Sequence, residues 1–149
     1  MITYERLKRD EGIAPSLIGM TLAAFDELYG QFEATYQRRL MERWLTKRTS
    51  TLRRRAAGAG APYRYDLRDR LLMTLFWRRV HTTYAVIGFF YELNATNVED
   101  NIKDVLATLE QLDEQCTLVG ATARRVKLRS PEAVMAAIPE LRLLMDAKA

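Results

Sequence analysis

Asp66-Leu67-Arg68-Asp69-Arg70-Leu71-Leu72-Met73-Thr74-Leu75-Phe76-Trp77 opens the stretch that decides the fold. Thr83-Tyr84-Ala85-Val86-Ile87-Gly88-Phe89-Phe90-Tyr91 and Thr96-Asn97-Val98-Glu99-Asp100-Asn101-Ile102 complete it. In the first segment Asp66 stands where an N-cap belongs, and Leu67, Leu71, Leu72, Leu75, Phe76 and Val80 recur at helical spacing. The second segment starts at Thr82 or Thr83, runs through Leu93 and is apolar on nearly all sides, which predicts a helix enclosed between other elements. Asn94-Ala95-Thr96 reads as a turn with Asn94 left-handed, and Thr96 to Glu99 reads as a capping box. A third helix follows to about Gln115, with Val98, Ile102, Val105, Leu106, Leu109 and Leu112 as its inner stripe.

Outward from this centre almost every ordered segment also reads as helix. A short helix covers Thr3–Arg9, and Gly12 and Pro15 interrupt the chain. Thr21 caps a long helix from Leu22 to about Lys47, with Leu22, Phe25, Leu28, Tyr29, Phe32, Tyr36, Leu40 and Trp44 on its apolar face. Residues 47–65 are a basic Gly/Ala-rich linker. Ser130-Pro131-Glu132 starts a short helix that Pro139 ends. Leu141–Met145 reads as a strand or a fraying helix. The expected fold is therefore an all-α helical bundle containing a helix–turn–helix, with a basic linker and a short helix- or strand-like tail. Its regions are 1–46 (N-terminal helices), 47–65 (linker), 66–116 (helix–turn–helix) and 117–149 (basic tail).

The chain has 149 residues, 48% of them hydrophobic and 28% charged, a globular balance. No apolar run is long enough to span a membrane, and the N-terminus lacks a signal-peptide core. A single cysteine, Cys116, and a single histidine, His81, exclude a disulfide framework and a Cys/His zinc site within one chain. No Gly-rich phosphate loop, nucleophile arrangement or cofactor motif is present, so neither a cofactor nor a resident metal is expected. Asp100 and Asp104, with Glu99, read as a solvated acidic face, with weak cation binding as the alternative.

Charge is distributed in blocks. Residues 38–55 carry eight basic and one acidic side chain, whereas residues 92–120 carry one basic and seven acidic. The basic block suits a polyanion, with a solvated basic face as the alternative. In a helix–turn–helix the second helix enters the major groove by its N-terminal turns, and asparagine pairs bidentately with adenine edges. On that geometry Thr96, Asn97 and Asn101 are the candidates for base edges. Lys47, Arg48, Arg53, Arg54 and Arg55 are candidates for phosphates, and Arg78, Arg79 and His81 for the groove flank. His81 also reads as a plain helix terminus.

Residues 65–77, Thr82-Thr83-Tyr84-Ala85-Val86-Ile87-Gly88-Phe89-Phe90, Asn97-Val98 and Asn101-Ile102 resemble the helix–turn–helix N-terminal domain of bacterial insertion-sequence DDE transposases. Thr3-Tyr4-Glu5, Phe25-Asp26-Glu27-Leu28 and the Gly-Ala-Gly linker fit the same family, and the resemblance covers essentially the whole chain. It implies recognition of double-stranded DNA at the terminal inverted repeats of a mobile element; with no targeting segment in the sequence, the cytoplasm, at the nucleoid, is the expected location. It also implies that Pro139-Glu140-Leu141-Arg142-Leu143-Leu144-Met145-Asp146 enters a catalytic domain, with Asp146 matching the first metal-binding aspartate of the DDE set.

Three residues, Ala147-Lys148-Ala149, follow Asp146, and the other two carboxylates of the set have no match in the 149 residues. A two-metal site needs several carboxylates held together, so no catalytic activity is expected of this chain. A product of a gene split over two reading frames and a decayed fragment are both consistent with that. The pattern departs from the family after Asn97-Val98, where Glu99 and Asp100 replace an expected serine and basic residue. Three expectations follow from an acidic second helix: only its first turn enters the groove, or the arginine linker supplies affinity, or tight binding is lost. The other reading is a protein-interaction or regulatory fragment, self-associating or pairing with a transposase catalytic product through helix packing.

Overall fold

The computed structural model describes residues 2–50, 64–113 and 127–146, with side chains for 2–46, 64–112 and 127–145. The described residues form eight α-helices: α1 (Tyr4–Arg9), α2 (Ala14–Ile18), α3 (Leu22–Ser50), α4 (Leu67–Val80), α5 (Tyr84–Tyr91), α6 (Ala95–Asp113), α7 (Pro131–Ala137) and α8 (Leu141–Asp146). A 3-10 turn, Glu11–Ile13, joins α1 to α2. The one β pairing among the described residues is an isolated parallel bridge between Thr82 and Leu128. The all-α bundle is thus the observed architecture.

Local chemistry accounts for most boundaries. The side chains of Thr3, Asp66, Thr83 and Ser130 each accept a hydrogen bond from a backbone N–H three residues on, which satisfies an orphan amide at the start of α1, α4, α5 and α7. Thr21 does the same for α3 through the amide of Ala24, at 3.2 Å. Gly19, left-handed at φ 78°, ends α2. The backbone of α3 continues to Ser50, past the expected end at Lys47, and spans roughly 44 Å at 1.5 Å per residue.

The centre of the bundle is α4. Seven consecutive residues, Arg70 to Phe76, are buried, because α1, α2 and α3 pack against it together with α5 and α6. The helical stripe picked out Leu71, Leu72, Leu75, Phe76 and Val80. It missed Arg70, Met73 and Thr74, since a helix enclosed on most sides has no polar face to mark its period. The expectation of an enclosed helix fits α4 rather than α5: Ala85 and Phe89 of α5 face outward, Phe89 being 55% exposed. One buried cluster runs from Ile2 to Tyr36 of the N-terminal helices, through α4, α5 and α6, to Val134, Ile138, Leu141 and Leu144.

Of the two alternatives for Leu141–Met145, strand or fraying helix, the helix is the one formed, over Leu141–Asp146. Leu141 and Leu144, three residues apart, are both buried, and that is a helical period. Arg6 of α1 donates from Nη1 to the carbonyl of Leu144 at 3.1 Å, tying α8 back to the start of the chain.

Candidate nucleic-acid interface

The helix–turn–helix pair is α5 and α6, joined by Glu92-Leu93-Asn94. The turn lies two residues earlier than the sequence reading put it. Glu92, not Asn94, takes the left-handed conformation, at φ 53°. The amides of Glu92 and Leu93 both donate to the carbonyl of Gly88, closing α5. A Cβ on Gly88 would lie 2.3 Å from the Leu93 carbonyl oxygen, so only glycine admits this tight a turn. Asn94 is the cap of α6: its Oδ1 accepts from the Asn97 amide at 2.8 Å. Thr96 therefore lies inside the helix, and Glu99 turns forward to Lys103, at 2.6 Å, instead of closing a capping box. Asparagine at 94 outcompetes the box because it is one of the strongest N-caps and sits in the residue before the first helical one.

Thr96, Asn97 and Asp100 are exposed at the start of α6. Asn101 is not. It is 7% exposed, its Oδ1 accepts from Arg70 Nε at 2.6 Å and its Nδ2 donates to the Asn97 carbonyl at 2.8 Å. Both ends of its amide are committed to the protein, so the expectation that Asn101 approaches bases is corrected. Asn101 follows Asn97 by four residues and so lies about 40° further round the helix, on the side that meets Arg70 of α4.

Asn101 belongs to a buried polar network that ties α3, α4 and α6 together. Arg70, 2% exposed, donates to Asn101, to the Tyr36 hydroxyl at 3.0 Å and to Asp104 Oδ2 at 2.7 Å. The Tyr36 hydroxyl donates to the same Asp104 oxygen at 2.7 Å, and the Arg70 guanidinium lies 5.4 Å from the centre of the Tyr36 ring. Arg39 reaches the Asp104 carbonyl and the Thr108 hydroxyl, and Arg43 approaches Asp104 Oδ1 at 3.5 Å. Burial pushes the Asp104 carboxyl up. The bonds from Tyr36 and Arg70 and the charges of Arg70 and Arg43 outweigh it and hold the group below the usual carboxylate range.

Asp104 is therefore the counter-ion of a buried arginine, not part of a solvated acidic face. Among the described residues no group of three or more His, Cys, Asp or Glu side chains is arranged to hold a metal ion. Among the described side chains, the acidity of α6 on its outer side thereby reduces to Glu99, Asp100 and Glu110, with Lys103 paired to the first.

Basic side chains gather where α4 meets α5. Arg78 and Lys127 are exposed, while Arg79 and His81 are partly buried. His81 is left-handed at φ 54° and ends α4. Its carbonyl accepts from the Leu128 amide at 2.8 Å, and the Thr82 hydroxyl donates to the Leu128 carbonyl at 2.5 Å. This bridge holds Lys127 against the α4–α5 corner. A cavity of about 400 Å³ lies there, lined by Trp77, Arg78, His81, Thr83, Tyr84 and Lys127. The rings of Trp77 and Tyr84 stack at 5.7 Å. Trp77, Tyr84 and Lys127 escaped the sequence reading as site residues; the two aromatics sit seven residues apart across a helix break, a spacing that signals nothing without the fold.

The phosphate candidates Arg53, Arg54 and Arg55 lie outside the described residues, as does Cys116. Lys47 and Arg48 continue the backbone of α3, and Asp146 ends α8, but their side chains also lie outside the described set. Among the described residues no helix is long and apolar enough to cross a membrane. No family model, curated protein or solved structure matches this chain, so its function is argued from the site itself.

Proposed function

We propose that this chain binds double-stranded DNA through α5 and α6, as the end-recognition part of a transposase-like system. The observation that carries the reading is the division of labour within α6. Its inner side is locked to α4 by Arg70, Asn101 and Asp104, while Thr96, Asn97 and Asp100 at its first turns face solvent. A recognition helix needs that combination: a rigid seat and exposed, short polar side chains at the end that enters the groove. Asn97 has the donor and acceptor pair that fits adenine, and Asp100 can accept from cytosine N4. Arg78 and Lys127, beside the start of α5, supply phosphate contacts where the first helix of such a motif crosses the backbone. The arginines at 53–55 add a sequence-independent electrostatic contribution.

Selection of duplexes from a randomised pool, followed by anisotropy titration of the enriched and a scrambled duplex, tests this reading. Enrichment of one motif supports it, and a pool that stays random after repeated rounds refutes sequence recognition. A self-association reading is favoured by one other observation: Met41 and Leu45, one turn apart on α3, are 48% and 49% exposed. A salt-resistant dimer that forms without DNA and is lost in Met41→Ser/Leu45→Ser would support it.

A further inference from the structure

We infer that the cleft between the end of α4 and the start of α5 is a site for one unpaired nucleotide, its base against Trp77 and Tyr84 and its phosphate on Arg78 and Lys127. The cavity, about 400 Å³, is of the size that holds a small ligand. Among the described residues no carboxylate lines it: the polar lining there consists of Arg78, His81, Lys127 and the threonines 82 and 83, so the ligand it suits is an anion. Trp77 and Tyr84, which stack on each other at 5.7 Å with an interplanar angle of 21°, also line it, and an aromatic lining suits a planar ligand. A phosphorylated base combines the two properties.

The cleft is built before any ligand arrives. Thr83, one of the lining residues, caps α5, its Oγ1 accepting from the Val86 amide. The Thr82–Leu128 bridge and the left-handed His81 set the position of Lys127. A base inside a duplex has both faces covered by its neighbours and cannot reach such a lining. Only an unpaired nucleotide can stack there, whether it is part of a single-stranded DNA end or free in solution. The DNA reading above bears on which of these two sources applies, not on the chemistry of the cleft.

The test uses the full chain carrying Trp44→Phe, which leaves Trp77 as the only tryptophan. Its fluorescence is titrated with dAMP, inorganic phosphate, a blunt DNA hairpin and the same hairpin with a thymidine overhang. Quenching of Trp77 by the overhang hairpin at roughly tenfold lower concentration than by the blunt one, lost in Arg78→Gln/Lys127→Gln, establishes the site with a DNA end as its source. Both substituted residues are exposed, so the fold survives the change, as circular dichroism would verify. Quenching by dAMP with no advantage for the overhang establishes the site with a free nucleotide as its source. Blunt hairpin binding by anisotropy, with Trp77 unquenched by every probe, overturns the inference and leaves the duplex reading standing. Quenching by dAMP without any hairpin binding does the reverse. Equal quenching by phosphate and dAMP also overturns it, because the base then contributes nothing.

Discussion

Replacing Asp104 by asparagine should destabilise the protein by about 3 kcal/mol, at the lower end of the range for breaking a buried ion pair. The magnitude follows from what is left behind. Arg70 is 2% exposed and has three acceptors in this network, of which Asp104 alone carries charge. Asparagine leaves the guanidinium buried among neutral partners. Arg43 contributes far less: its side chain is 51% exposed and its approach to Asp104 is 3.5 Å, so Arg43→Ala should cost under about 1 kcal/mol. Removing both charges with Arg70→Met/Asp104→Leu should restore much of the loss, because the uncompensated charge disappears. Urea unfolding followed by far-ultraviolet circular dichroism measures these proteins together with Arg70→Met and Asp104→Leu, which close the double-variant cycle. For a chain of this size about 3 kcal/mol corresponds to a fall in Tm of roughly 6–12 °C. A loss below about 1 kcal/mol in Asp104→Asn, or strict additivity in the double variant, would refute the claim that this pair seats α6.

Further outcomes follow from single groups. Burial pushes the Asp69 carboxyl up to about 6, while Arg68 and the Tyr4 amide that it accepts at 2.7 Å pull it down. The folded state therefore binds the proton more tightly than the unfolded chain, and this contribution to stability grows as pH falls from about 7 to 4; Asp69→Asn should abolish that part of the slope in pH-dependent melting. The Tyr91 hydroxyl is buried with no hydrogen-bond partner among the described residues, so Tyr91→Phe should be neutral or stabilising by about 1 kcal/mol, whereas Tyr65→Phe should cost about as much by freeing the buried Tyr91 carbonyl that it caps. Gly88→Ala, with its new Cβ driven into the Leu93 carbonyl, should cost about 1–3 kcal/mol in chemical denaturation. Asn97→Ala should leave stability within about 0.5 kcal/mol, while Asn101→Ala should lower it by about 1–3 kcal/mol by leaving Arg70 Nε without its acceptor.

Most helix identities were legible because caps and apolar spacing agreed; α2 was not, since Pro15 reads as a break although the first turn of a helix admits proline. Asp66 and Thr83 each bond the amide that their position demands, and the stripe of α6 is buried at Val98, Ile102, Val105, Leu109 and Leu112 and partly buried at Leu106. What escaped was anything decided by a partner far along the chain. Arg70 reads as one more charge in a basic helix until Tyr36 and Asp104, 34 residues away on either side, close around it. Asp104 for the same reason reads as surface acidity. Asn101 reads as exposed because it shares a side with Asn97, and only the seat on α4 shows that the helix has turned it inward. The start of α6 was misplaced because two capping signals overlap within six residues, and spacing alone cannot rank Asn94 against Thr96. The cleft at Trp77 and Tyr84 needed the Thr82–Leu128 bridge, a contact that no local pattern announces.

The most direct measurement is the ratio of affinities for the selected and the scrambled duplex, by fluorescence anisotropy across a salt series, in the wild type, Asn97→Ala and Arg78→Gln/Lys127→Gln. The wild-type ratio should be well above ten. Asn97→Ala should bring it close to one with the salt slope unchanged. The basic pair should weaken both duplexes alike and flatten the slope by about 0.9 per lost phosphate contact. A ratio near one in the wild type, or an Asn97→Ala protein that discriminates as well as its parent, would contradict the claim that the first turn of α6 reads DNA.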